Sequence, residues 1–269
     1  MSKGYNAPAE VRELEKQIND FTYRNGLDVK TVFQDLLRYI VHGFSLPDTP
    51  PLSDWRYNKE QTKVFYDMFA TWIQIMSQQI ERYGWYDAFG DLFMALISQR
   101  GQQQKGQFFT PEHITELMSE ITLGKQKEAA SGIISIHDPA VGSGRTLLAA
   151  KAKRPQSYLV GWDIDYTCCL MCVCNFLMNS CVGEVVCIDS LRMDNFRGAW
   201  IVNEGLCRTG LPSVRRLDEQ EYKRFKQADI PPYVFFLNQE GYDDYFRMRE
   251  TWAKVMTIFQ EPPIPKTGT

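Results

Sequence analysis

Three aspartates, Asp138, Asp163 and Asp189, each close a short apolar run: GIISIHD, SYLVGWD and EVVCID. The first stands four residues ahead of Gly142, in the stretch HDPAVGSGRTLLAA, with Gly144 two residues further on. Glycines at those positions let a strand turn tightly into a helix, so that backbone amides and the positive helix end face a ligand. Leu147 fills the third glycine position of a dinucleotide fingerprint, and the Gly-Lys-Ser/Thr of a phosphate-binding loop is missing. An acid ahead of the glycines favours a ligand with a cationic end over a pyrophosphate. S-adenosylmethionine, with its amino group and sulfonium, is such a ligand. Asp163 then suits the two hydroxyls of a ribose, and Asp189 the exocyclic amine of adenine. Asp165 is a second ribose candidate that also reads as a helix cap, and any one of these acids alone reads as a strand end or cap.

The elements that position these residues follow from pattern. Apolar, strand-length runs (the three above and AWIVN) alternate with helical stretches after Gly144 and from Tyr166, which predicts an α/β fold with a doubly wound parallel Rossmann-like sheet. Ahead of it the chain reads as helices. Pro8 opens one, Asp28 caps VKTVFQDLLRYIVH, and Asn58 caps a long helix ending at Gly84, whose apolar residues recur at three- and four-residue steps. The expected division is a helical domain over 1–105 and a nucleotide-cradling α/β domain over 106–269.

Four stretches in order, YDAFGDLFMALIS with GQFFTPEHITELM, DPAVGSGRTLL, GWDID and IDSL, resemble the N6-adenine DNA methyltransferases of the modification-subunit type of type I restriction-modification systems. The resemblance implies a class I methyltransferase sheet, shortened at its C-terminus. It implies S-adenosylmethionine as cofactor, with Gln107, Phe108 and Thr110 at its methionine end, Asp138, Gly142 and Gly144 as its loop, Asp163 on the ribose and Asp189 on the adenine. It also implies DNA as substrate and a separate specificity subunit, or a partner methyltransferase, as companion.

In that family the fourth strand ends in Asn-Pro-Pro-aromatic, where the Asn holds the target amine and the ring stacks on the flipped base. This chain reads Asn203-Glu204-Gly205-Leu206. Asn203, helped by Glu204 as a substitute acceptor, is therefore the expected catalytic pair, without the stacking ring. A module that binds cofactor without catalysis is the alternative, and a methyltransferase of RNA or a small molecule is a third reading. DIPPYVFF offers a second Pro-Pro-Tyr, at Pro231, Pro232 and Tyr233, but Ile230 takes the Asn place; YVFFL is expected as a strand.

The remaining signals restrain these readings. Seven cysteines lie between Cys168 and Cys207, four of them in CCLMCVC. Cys169 and Cys172 have the spacing of a metal pair, yet no second pair or neighbouring His completes a tetrahedral set, so no metal is expected and the run reads as a buried helix. A net charge of -3 is no footprint for strong stand-alone DNA binding. Between Arg208 and Lys226 six basic residues oppose three acidic ones, a pattern that fits the solvated face of a helix. No apolar run is long enough for a membrane span and the start lacks a signal-peptide core, so a cytoplasmic location is expected.

Overall fold

Capping decides where the N-terminal helices begin and end. In the computed structural model, which describes residues 7–52, 54–98, 110–123 and 132–248, a short 3-10 turn over Ala9–Val11 leads into α1 (Arg12–Asn25). Helix α2 (Val29–Gly43) starts where the Asp28 carboxylate accepts from Thr31 N. Helix α3 (Lys59–Tyr83) starts at a capping box of Asn58 and Gln61 and stops at Gly84, φ 85°, in the left-handed region that glycine enters freely. Helix α4 (Ala88–Ser98) follows, then α5 (Glu112–Leu123).

From residue 134 the chain forms one five-stranded sheet: β1 (Ile134–Asp138), β2 (Ser157–Asp163), β3 (Val182–Asp189), β4 (Asp194–Val202) and β5 (Val214–Leu217), side by side in chain order. Helix α6 (Arg145–Lys153) connects β1 to β2 and α7 (Tyr166–Met178) connects β2 to β3, and these three strands are parallel. The expected α/β class and preceding helices are present, but the sheet is mixed, because β4 and β5 run antiparallel. Only Ser190–Met193 separate β3 from β4. A parallel return needs a dozen or more residues, so the chain doubles back as a hairpin.

The sheet is covered on both faces. Leu159, Val185, Cys187, Trp200 and Val202 face α7, and their core is continuous with the apolar faces of α1 to α4. The expected boundary at 105 lies outside the described residues, and this single core joins the regions on either side of it. After the single turn α8 (Leu206–Thr209), on the other face Tyr158, Val160, Ile201 and Leu217 meet α9 (Glu219–Gln227) and a 3-10 helix over Pro232–Phe236. The expected strand YVFFL is that 3-10 helix, started by Pro231 and Pro232, with Phe235 stacked on Tyr158 at 5.1 Å. Glu184, fully buried in β3, accepts from Tyr222 Oη (3.0 Å) and Lys226 Nζ (3.0 Å), which ties α9 to the sheet. Gly183 is required here: a Cβ would lie 1.9 Å from the Leu159 carbonyl oxygen.

Among the described residues no helix is long and apolar enough to cross a membrane. The CCLMCVC run lies in α7, where Cys168, Cys169, Cys172 and Cys174 are buried. Burial pushes the Cys168 thiol far above its ordinary range. No group of three or more His, Cys, Asp or Glu among the described residues is placed to hold a metal ion.

Candidate cofactor site

Parallel pairing brings the three acids to one edge. Asp138 is in register with Gly161, and Asp163 lies two residues beyond it; Asp163 is in register with Cys187, and Asp189 lies two beyond that. Neighbouring members are thus one strand over and two residues along, about 8 Å apart at the Cα atoms. Alternation aims all three toward the α6 and α7 side, where both helices begin.

Between them runs the glycine loop. Val141 N donates to Trp162 O (2.8 Å) and Gly144 N to Val141 O (2.9 Å), folding the loop over the end of β2. Gly142 (φ 56°) and Gly144 (φ 94°) are left-handed, and a Cβ on Gly144 would lie 3.0 Å from Cys172 Sγ, so the loop rests directly on α7. Asp163 Oδ2 accepts from Gly142 N and Oδ1 from Asp165 N, both at 2.8 Å. A carboxylate has about four acceptor sites, so each oxygen keeps one, which matches the two hydroxyls of a ribose. Burial raises the Asp163 pKa above the ordinary aspartate value, against the pull of those two backbone donors.

The other acids also make local bonds. Asp138 accepts from Ala140 N (3.0 Å) and from the Thr146 hydroxyl, and Asp189 accepts from Leu191 N (3.0 Å) and Arg192 N (3.1 Å). Asp165 is the cap of α7, accepting from Thr167 N and Cys168 N. Thr110 precedes Pro111 and α5, which packs on α6. Gln107 and Phe108 lie outside the described residues.

Asn203 and Glu204 are not brought to this edge. Since β4 is antiparallel, Val202 pairs with Gly183 at the start of β3, six residues and roughly 20 Å from Asp189. Asn203 is fully buried with φ 58°, a left-handed conformation that Asn tolerates. Its amide donates to Phe176 O (3.1 Å) and Cys181 O (2.9 Å), and its Oδ1 accepts from Ser213 N (3.2 Å). Glu204 is engaged by Arg215 at 3.0 Å. The hairpin carries the expected catalytic pair to the opposite end of the sheet, where Asn203 closes the C-terminus of α7. The alternative Pro231-Pro232-Tyr233 only starts a 3-10 helix.

A joint between the stretches YDAFGDLFMALIS and DPAVGSGRTLL supports the glycine loop. Asp87, 2% exposed, accepts from Ser143 Oγ (2.6 Å), Arg145 Nε (2.8 Å), Asn175 Nδ2 (2.6 Å) and Gly90 N (2.8 Å). Arg145 also reaches Asp91 at 2.7 Å. Burial opposes the Arg145 charge, but the two carboxylates more than offset it and the guanidinium titrates above its ordinary value. Asn175 also donates to Ser143 O (2.8 Å), and Asn179 holds the backbone of Tyr86. The signal in the sequence is one Asn inside the apolar run CCLMCVCNFLM, because a buried amide must find partners.

A loop of glycines under three strand-end acids, pinned through Asp87, thus closes the C-terminal edge of the parallel strands. Residues 85–204 match the family model described as N-6 DNA Methylase. Among curated relatives, the type I restriction enzyme MpnII methylase subunit of Mycoplasma pneumoniae is 33% identical over 102 residues, 35% of this chain and 18% of the relative. Among solved structures, the type I restriction-modification system methyltransferase subunit from Streptococcus thermophilus is 20% identical, with a TM-score of 0.32, over 66% of this chain and 38% of that one. The type IIG restriction endonuclease BpuSI is 18% identical, with a TM-score of 0.30, over 63% of this chain and 20% of that one. The chain therefore spans well under half the length of each.

Proposed function

We propose that this chain binds S-adenosylmethionine at the C-terminal edge of β1 to β3, and serves as the cofactor-holding module of a DNA-modifying assembly without being a complete adenine-N6 methyltransferase. Asp163 would hold the ribose, Asp189 the adenine, and Asp138 with Gly142 and Gly144 the loop side. Gln107, Phe108 and Thr110 would meet the methionine end. Bound there, the cofactor supplies an electrophilic methyl group. The protein's own part is to orient it, through the Asp87 joint and the left-handed glycines.

The observation that carries the reading of a module is the position of Asn203. An amide already bonded to Phe176 O and Cys181 O, at the far end of the sheet, has no reach to a base beside the methyl group. The base pocket then belongs to a companion, a specificity subunit or a partner methyltransferase, working with this chain on DNA in the cytoplasm. The division at residue 105 separates a bracing helical part from the cofactor part.

The test is methyl transfer from labelled cofactor to mixed double-stranded DNA, with and without candidate companions. The chain alone should give background counts. Transfer by the chain alone that vanishes in Asn203→Ala would establish the complete-enzyme reading instead.

A further inference from the structure

Two arginines at the edge of the proposed cofactor site have no described carboxylate within ion-pair distance. Arg197, on β4, is exposed, and its guanidinium lies 5.3 Å from the ring centre of Tyr166, the first residue of α7. Arg216, on β5, is exposed and lies 6.0 Å from the ring centre of Trp200. The two rings touch, with centroids 5.6 Å apart. A Cβ on Gly198 would lie in ordinary contact with Arg216, 3.5 Å from Nε and 3.6 Å from Nη2, so this guanidinium lies over the residue next to Arg197. Because β4 is antiparallel and Gly198 pairs with Cys187, the pair stands beside the C-terminal end of β3, the edge that carries Asp163 and Asp189.

The contrast with neighbouring cations is informative. Arg38 bonds Asp35 and Asp54, Arg56 reaches Asp35, Arg145 bonds Asp87 and Asp91, and Arg215 bonds Glu204. No described carboxylate lies within ion-pair distance of Arg197 or Arg216, although Asp163, Asp165 and Asp189 are on adjoining elements. Each guanidinium lies over one ring of the touching Tyr166–Trp200 pair, so an anion seated across the two rings would meet both charges. Guanidinium forks suit the oxygens of a phosphate, and stacking on a ring presets their orientation.

We propose that Arg197 and Arg216 together hold a backbone phosphate of a nucleic-acid strand laid across the ends of β3 and β4. This deepens the functional reading above and rests on it, since it names what approaches the cofactor edge. It also accounts for how a chain of net charge -3 contacts a polyanion: through a local cationic pair.

The experiment is fluorescence anisotropy of a labelled mixed-sequence DNA duplex over a series of KCl concentrations. It uses the full chain and three variants: Arg197→Gln with Arg216→Gln, Arg197→Lys with Arg216→Lys, and Arg224→Gln on α9, on the other face. The Gln pair should weaken binding several-fold and lower the slope of log affinity against log salt by roughly 1, the loss expected for one phosphate contact. The Lys pair should keep most of the slope, and Arg224→Gln should keep affinity and slope. Inorganic phosphate should compete no better than KCl of equal ionic strength; stronger competition would make the site one for free phosphate and overturn the proposal. So would an unchanged slope in the Gln pair, or a wild-type chain that does not bind the duplex at the lowest salt. Calorimetry with S-adenosylhomocysteine separates the two readings. Retained cofactor binding in the Gln pair supports the proposal, whereas DNA binding that depends on the pair in a chain that never binds cofactor would leave this inference standing and remove the cofactor reading.

Discussion

Replacing Asp87 by Ala should loosen the whole cofactor loop. The carboxylate is buried and accepts four donors, of which Ser143 and Arg145 belong to the loop and the first turn of α6, and Asn175 to α7. Its removal leaves Arg145, whose side chain is 13% exposed, with Asp91 as its remaining carboxylate. Breaking a buried ion pair from one side costs about 3–5 kcal/mol. The surviving bond to Asp91 argues for the lower end, near 3 kcal/mol. For a chain of this size each kcal/mol moves the midpoint by about 2–4 °C, so thermal unfolding followed by circular dichroism should show a fall of about 6–12 °C. Asp87→Asn should fall as well, because an amide nitrogen would face the donors of Ser143 and Arg145. A fall below about 3 °C for Asp87→Ala would refute the reasoning, since the joint would then not brace the loop.

Asn203→Ala should act on stability, leaving Cys181 O and Ser213 N without their Asn203 bonds while Phe176 O keeps Cys181 N, at about 1–3 kcal/mol for buried groups so stranded; denaturant unfolding measures this, and cofactor affinity should not change. Gly183→Ala places a Cβ 1.9 Å from the Leu159 carbonyl oxygen, and Gly90→Ala one 2.2 Å from Asp87 Oδ2; both should lose soluble folded protein on expression, Gly183→Ala the more severely because its obstacle is backbone. In the proposed site Asp163 would bind the ribose as the carboxylate, and its pKa is raised by burial. Affinity should thus be full near neutrality and fall as pH drops through a value above the ordinary aspartate pKa, a profile that calorimetry should find flat in Asp163→Asn.

Much of the edge was legible because it rests on local rules. Strand-end acids, left-handed glycines and the caps at Asp28 and Asn58 are settled by a few neighbouring residues, and they fall where the patterns place them. The direction of β4 was not recognised, although the four residues after Asp189 exclude a parallel return. That one connection decides whether Asn203 meets the cofactor edge or the foot of α7. β5 escaped notice because VRRL carries two charges in four residues, and YVFFL has strand composition but follows two prolines that fix a 3-10 turn. The Asp87 joint joins residues 88 positions apart in the chain, from Asp87 to Asn175. Periodicity carries no information at that separation; only the lone amide in an apolar helix hinted at it.

Asp163 and Asn203 serve different ends of the sheet. Calorimetric titration of S-adenosylhomocysteine into wild-type chain, Asp163→Ala and Asn203→Ala tests this directly. Binding to wild type, weaker by about 1.5–3 kcal/mol in Asp163→Ala and unchanged in Asn203→Ala, is the predicted result. Absence of binding to wild type, or full affinity in Asp163→Ala, would contradict it.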